Sequence, residues 1–153
     1  MNEHAAGAGQ GRFTLIAAAH LLLIEDGAIL LLLRQNTGYA DGRWGVVAGH
    51  LDGGETARQA MAREAYEEAG LLIAPADLHL VHVMHRGARP ERVEFFFAPT
   101  RWSGTPQNRE PQRCAALTWC PLDALPAAMV PYIAAAIAQV GAGRLYSEFD
   151  WPA

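Results

Sequence analysis

Lysine is absent from this chain, and all 12 basic residues are arginine. Set against 16 acidic residues, they leave a net charge of −4 and a pI of about 5.8. That balance argues against the broad basic surface that nucleic acid or an anionic membrane would need. With abundant Ala and Gly, the all-arginine usage reads as a coding bias rather than a function. Cysteine is scarce as well. Cys114 and Cys120 form no CxxC and have no ligand-like spacing, so a disulfide framework or a zinc site is not expected, and free thiols in a reducing compartment are. Long apolar runs are also missing. Phe13 to Ile24 is too short to span a bilayer and runs into Glu25-Asp26-Gly27. Its flanks lack the layout of a secretory signal. The expectation is a cytoplasmic protein with no membrane or nucleic-acid partner. At 153 residues the chain suits one domain with a full core, residues 12–153, behind a small, polar segment, 1–11, expected to fray. No repeat, linker or low-complexity segment interrupts it.

What is present is concentrated between Gly49 and Leu71, GHLDGGETARQAMAREAYEEAGL. Gly53-Gly54 marks a loop, and Thr56 to Ala69 is compatible with a helix. At about 100° per residue, Glu64, Glu67 and Glu68 share one side of that helix with Ala57, Ala60 and Met61. Arg58, Gln59, Ala62 and Tyr66 point the other way. The acidic stripe is therefore expected on the inward face. Three carboxylates held together repel one another, and partial burial increases the cost. A hard divalent cation relieves the conflict, because carboxylate oxygens are natural ligands of Mg²⁺ or Mn²⁺. The competing reading is a solvated helix face, the ordinary fate of a charge run.

The full spacing resembles the Nudix box, the signature of hydrolases that cleave a nucleoside diphosphate linked to another group. Gly49, Glu55, Arg63, Glu64, Glu67, Glu68 and Gly70 fill its fixed positions, with the apolar Leu71 behind them. A chance match in a chain of this length is on the order of one in a million at typical residue usage. The resemblance implies an α/β fold, a mixed sheet sandwiched between helices, with the box as loop-helix-loop. It implies Glu64, Glu67 and Glu68 as ligands of Mg²⁺, with Mn²⁺ as a substitute. A backbone carbonyl from Ala48 or its neighbour is the implied extra ligand. Arg63 and Glu55 are implied to hold each other and brace the loop. Water would attack phosphorus in line, giving up a proton to Glu64 or Glu68. Members often recruit a later acid. Glu94 is the candidate here, because it breaks the apolar strand Val93 to Phe97; the alternative is a solvent-facing Glu94. Ala65 stands where a larger aliphatic is usual, a loss of core volume rather than chemistry.

Outside the box the signals are weaker. Phe13 to Ile24, Ala28 to Arg34, Trp44 to Ala48, Leu80 to His85, Arg92 to Trp102 and Ala116 to Cys120 read as strands, with Arg86 to Pro90 as a connection. Pro131 opens a helix to about Val140 with Ile133, Ile137 and Val140 on one stripe. Tyr39, Trp44, Trp102 and Trp119 are candidates to stack a base, and Arg34 and Arg101 to contact phosphate; each also suits plain core or surface packing. His82 and His85 fall on opposite faces of one strand and do not suit a shared metal. His50 sits at a variable position of the box and reads as structural or near-surface. The expected substrate is a small nucleotide, a nucleoside triphosphate first and an ADP-ribose-like or sugar-linked diphosphate second. A non-catalytic nucleotide sensor and an isoprenoid diphosphate isomerase are further alternatives. The intact acids speak against the sensor, and the lack of added cysteine and acid machinery against the isomerase. Homodimers are common among such proteins.

Overall fold

A computed structural model describes residues 11–153; the first ten residues of the segment expected to fray lie outside the described residues. The chain forms β1 (Ile16–Leu21), β2 (Ile24–Glu25), β3 (Ala28–Arg34), β4 (Trp44–Gly45), β5 (Ala48–His50), α1 (Ala57–Ala69), β6 (Leu78–Arg86), β7 (Arg92–Pro99), β8 (Cys114–Pro121), α2 (Pro131–Gly141) and β9 (Tyr146–Phe149). A mixed five-stranded sheet has the order β5-β1-β7-β6-β9. In it β1 runs parallel to β7 and β6 parallel to β9, while β5 and β1, and β6 and β7, are antiparallel. A second sheet is built on β3, which pairs with β2, β4 and β8.

The alternation of side chains divides the core into two layers. Ala19, Leu21 and Phe97 pack with Met61, Ala65 and Ala69 of α1. Leu22, Met84 and Phe96 pack with Ile133 and Ala136 of α2. The mixed sheet is thus flanked by helices on its two faces, as the α/β expectation held. Ala65 is wholly buried in this packing. No helix among the described residues is long and apolar enough to cross a membrane.

Three local expectations needed correction. Trp44 to Ala48 is not one strand: Trp44–Gly45 pairs with β3, Ala48–His50 pairs with β1, and buried Val46 and Val47 carry the chain from one sheet to the other. Arg86 is the last residue of β6, not the start of a connection. The short edge strand β9 went unforeseen, since only parallel pairing with β6 makes it a strand.

Candidate active site

The site is organised by α1. Thr56 caps its start by accepting from the Gln59 amide at 3.1 Å, while the Gln59 side chain accepts from the Thr56 amide at 2.8 Å. This reciprocal pair satisfies two of the free amides of the first turn. Gly70 ends the helix in the left-handed region, at φ 67°. Between the caps, Ala60, Met61, Ala65 and Ala69 are buried against the mixed sheet. Glu64 and Glu68 flank that stripe and are partly buried. Glu67 differs from expectation: its side chain is 50% exposed, at the solvent edge of the same stripe. It stands about 160° around the helix axis from Ala65, so water reaches it freely.

Arg63 ties the box together. Its Nε and Nη2 donate to the two oxygens of Glu55 at 3.1 and 2.8 Å, a bidentate fork. Its Nη1 donates to Glu64 at 2.8 Å and, more loosely, to Glu67 at 3.4 Å. Nη2 also reaches the His50 carbonyl at 3.3 Å, and Glu55 accepts from the Asp52 amide at 3.0 Å. One guanidinium thus fixes the loop before the helix and two acids on it.

Glu68 has no such cation. Its Oε2 accepts from the Ala48 amide at 3.1 Å. Burial pushes its carboxyl up to about 8; the amide offsets part of this, and the charges of Glu64 and Glu110 add to it. Burial also raises Glu64, against the pull of Arg63. Glu64 lies tight against Gly49, where any Cβ would overlap its carboxyl group. Ala48 stands opposite His20, and its neighbours Val47 and Leu51 bond to β1. The Ala48 amide and carbonyl therefore face away from β1, on the side where Glu68 lies.

These groups line one end of a cavity of about 660 Å³ that continues under the mixed sheet. Among the described residues, no three His, Cys, Asp or Glu side chains already converge as a metal cluster. The donor set nevertheless suits a hard cation. Glu64, Glu68, Glu110 and the Ala48 carbonyl offer only oxygen, and no cationic side chain is hydrogen-bonded to the partly buried Glu68.

Glu94 lies in the same cavity but is spoken for. It is 1% exposed, not solvent-facing. His20 Nε2 lies 2.7 Å from one oxygen, and Arg86 Nη1 donates to the other at 2.9 Å. Burial alone would raise its pKa, but His20 and Arg86 outweigh it and hold the carboxyl below its usual range. Arg34 and Tyr39 reach the cavity, joined by a bond from Arg34 Nε to the Tyr39 carbonyl at 2.9 Å. Trp44 and Trp102 do not line it. Trp44 packs with the α2-side core. Trp102 lies 6.3 Å from Trp119 and borders a separate depression beside Leu72 and Arg101.

Sequence reading missed His20, Arg86, Glu110 and Tyr132, all of which line the cavity. His20 had a signal, as the one polar residue of the otherwise apolar strand β1; Arg86 had less, because β6 also carries three histidines. Glu110 and Tyr132 had none, because nothing local places a loop acid or a helix tyrosine over this cavity.

Residues 14–140 match the NUDIX domain. A mouse protein described as "8-oxo-dGDP phosphatase NUDT18" is 39% identical over 71 residues, 46% of this chain and 21% of that protein. The "NAD-capped RNA hydrolase NudC" of Chromobacterium violaceum is 32% identical over 73 residues, 48% of this chain and 27% of that protein. The matches thus span about a quarter or less of these relatives. Among solved structures, a MutT NUDIX hydrolase from Burkholderia pseudomallei superposes with a TM-score of 0.75 at 28% identity, covering 83% of this chain and 98% of that one. A NUDIX hydrolase from Nitrosomonas europaea shares the fold, with a TM-score of 0.72 at 22% identity over 87% and 93% of the two chains. With the box residues in place on α1 and the domain match covering most of its length, this chain belongs to the MutT-like Nudix hydrolase family.

Proposed function

We propose that this chain is a divalent-cation-dependent pyrophosphohydrolase acting on a nucleoside diphosphate linked to another group. A nucleoside triphosphate is the favoured substrate, giving a monophosphate and pyrophosphate. The observation that carries this reading is the partly buried carboxyl group of Glu68, with no cation against it, beside Glu64 and Ala48 at one end of a cavity whose other walls carry arginines. Mg²⁺ held by Glu64, Glu67, Glu68 and that carbonyl would neutralise phosphoryl charge and lower the pKa of a water. Arg63 and Glu55 keep the carboxylates aimed. Glu64 or Glu68 accepts the proton of the attacking water. Arg34 and Arg92 line the cavity where phosphate oxygens would lie, and Tyr39 is placed to flank a base. One relative is named for 8-oxo-dGDP and the other for NAD-capped RNA, which supports a substrate that contains a nucleotide. The deciding experiment incubates the protein with nucleoside triphosphates, nucleotide sugars and dinucleotides in Mg²⁺ or Mn²⁺ and resolves the products. Pyrophosphate release supports the triphosphate reading. Two monophosphate-bearing fragments would move the assignment to a nucleotide-sugar or ADP-ribose hydrolase, and no cleavage across the panel would overturn it.

A further inference from the structure

The segment that follows β9 lies over the root of the loop between β6 and β7. Asp150 takes the left-handed conformation, at φ 60°, which Asp adopts more readily than most residues. The chain turns there, and the Trp151 indole N–H donates to the His85 carbonyl at 3.0 Å. The Trp151 ring meets the His85 ring edge-on, with 4.7 Å between centres. Gly87 donates its amide to the Phe149 carbonyl at 2.8 Å. This glycine is there for space, since its φ is not left-handed. A Cβ on it would overlap the Asp150 carbonyl and stand 2.9 Å from the Trp151 ring. Core packing does not call for this clamp. Trp151 is 42% exposed and belongs to neither core layer. Its contacts fall on His85 and Gly87, where the loop begins.

What the loop carries gives the clamp a use. Residues 87–91 join β6 to β7, and Ala88 and Arg89 line the cavity together with Arg92 at the start of β7. Trp151 and His85 do not line it. Arg92 Nη1 donates to His50 Nε2 at 3.0 Å, and the His50 carbonyl accepts from Arg63. This side of the loop therefore adjoins the box. Arg89 is exposed, and among the described residues its guanidinium holds no salt bridge. Glu91, the one acid of the loop, lies 3.4 Å from His85 instead. A guanidinium without an acid of its own, on a cavity wall, is matched to an anion from outside, and its planar fork suits phosphate oxygens. On a loose loop that arginine would lose conformational freedom on binding. A loop fixed beforehand avoids much of that loss.

We propose that Arg89 binds a phosphate oxygen of the substrate, and that Trp151 is a positioning residue that holds Arg89 in place by clamping Gly87. The inference rests on the phosphate-chain reading of the cavity, and its test separates the two. The probe is methylenediphosphonate, a diphosphate mimic whose P–C–P bridge resists hydrolysis, so that binding is read without turnover. Calorimetry in Mg²⁺ should show Arg89→Gln binding it about tenfold or more weaker than the parent. Trp151→Ala should bind it about threefold or more weaker. Gly87→Ala loosens the same clamp from the other side and should match Trp151→Ala. The double variant Arg89→Gln/Trp151→Ala should bind no more weakly than Arg89→Gln alone, because Trp151 acts through Arg89. Hydrogen exchange across residues 87–91 should quicken in Trp151→Ala while melting temperature stays nearly unchanged. KM for nucleoside triphosphates should rise in that variant far more than kcat falls. Trp151→Phe keeps a ring without the N–H donor and should fall between the parent and Trp151→Ala, which covers the case in which Trp151→Ala does not fold. Parent-like binding in Arg89→Gln or in a folded Trp151 variant, additive losses in the double variant, or a parent that does not bind the mimic overturns the proposal. Nucleotide hydrolysis alongside any of these leaves the hydrolase reading standing. Weakened binding as expected, in a protein that cleaves no nucleotide, does the reverse.

Discussion

At the α1 end of the cavity, burial raises the pKa of Glu64 and Glu68; at the sheet end Glu94, buried more deeply still, is held below its usual range. The difference lies in the partners. Glu94 has His20 on one oxygen and Arg86 on the other. Glu68 has one backbone amide and two acidic neighbours. A carboxylate neutralised from within can position another group but has no capacity left for a cation. One left without a cation is a place for a cation from outside. The comparison therefore sets a carboxylate open to a cation, on α1, against one already neutralised from within, on β7.

The sharpest break of this division is Glu68→Gln. Shape is kept and repulsion is relieved, so the fold should hold. An oxygen ligand is weakened at the centre of the site, and kcat should fall by about two orders of magnitude or more. Glu94→Gln should lower kcat less. Steady-state kinetics at saturating Mg²⁺ measures both. A Glu68→Gln enzyme turning over like the parent would erase the contrast between the two ends.

Gly49→Ala comes next. A methyl at this position overlaps the Glu64 carboxyl, whose flexible end can swing away. Melting temperature should change little, while kcat/KM should drop by about tenfold or more as Glu64 leaves its place. Should Gly49→Ala keep full activity, Glu64 is not held where the chemistry needs it.

The two ends also differ in how legible they are in the sequence. The box lies within one loop and one helix, so its spacing states its geometry: the helix, its caps and the placing of Glu64 and Glu68 follow from residues a few positions apart. The error at Glu67 came from treating a helix face as uniformly inward, when only the stripe through Met61 and Ala65 is covered. The sheet end joins His20 to Glu94 across 74 positions and Arg86 to Tyr39 across 47. No local pattern contains that join. It needs β1 laid parallel to β7, a pairing that the sequence permits but does not announce. Trp44 to Ala48 misled for a related reason, since a short apolar run can serve two sheets in succession.

Stability against pH sharpens the comparison with a smaller effect. Glu68 has a raised folded pKa, so its favourable contribution is full below its ordinary value of 4.5 and is lost as pH rises toward about 8. Glu94 has a lowered folded pKa, so its contribution is present above its ordinary value and lost as pH falls through the folded one. In chelator, the parent protein should therefore lose melting temperature between pH 5.5 and 8, on the order of 5 °C. Glu68→Gln should flatten that decline, and added Mg²⁺ should offset it. A parent and variant with parallel slopes would show that Glu68 ionises without penalty.

The smallest expected effect belongs to Trp102, outside both ends. Its ring packs near Trp119 and against the α1-side core, and it borders a depression separate from the cavity. Trp102→Leu removes aromatic packing, so stability should fall by about 1–3 kcal/mol, measured by denaturant unfolding. At a temperature where the variant stays folded, kcat/KM should remain within about twofold of the parent for every nucleotide in the panel. The same measurement on Tyr39→Leu should raise KM, because Tyr39 lines the cavity and meets Arg86. A large, base-dependent loss in Trp102→Leu would mean that a base is held by stacking in the depression beside Leu72 and Arg101, outside the cavity that Tyr39 lines.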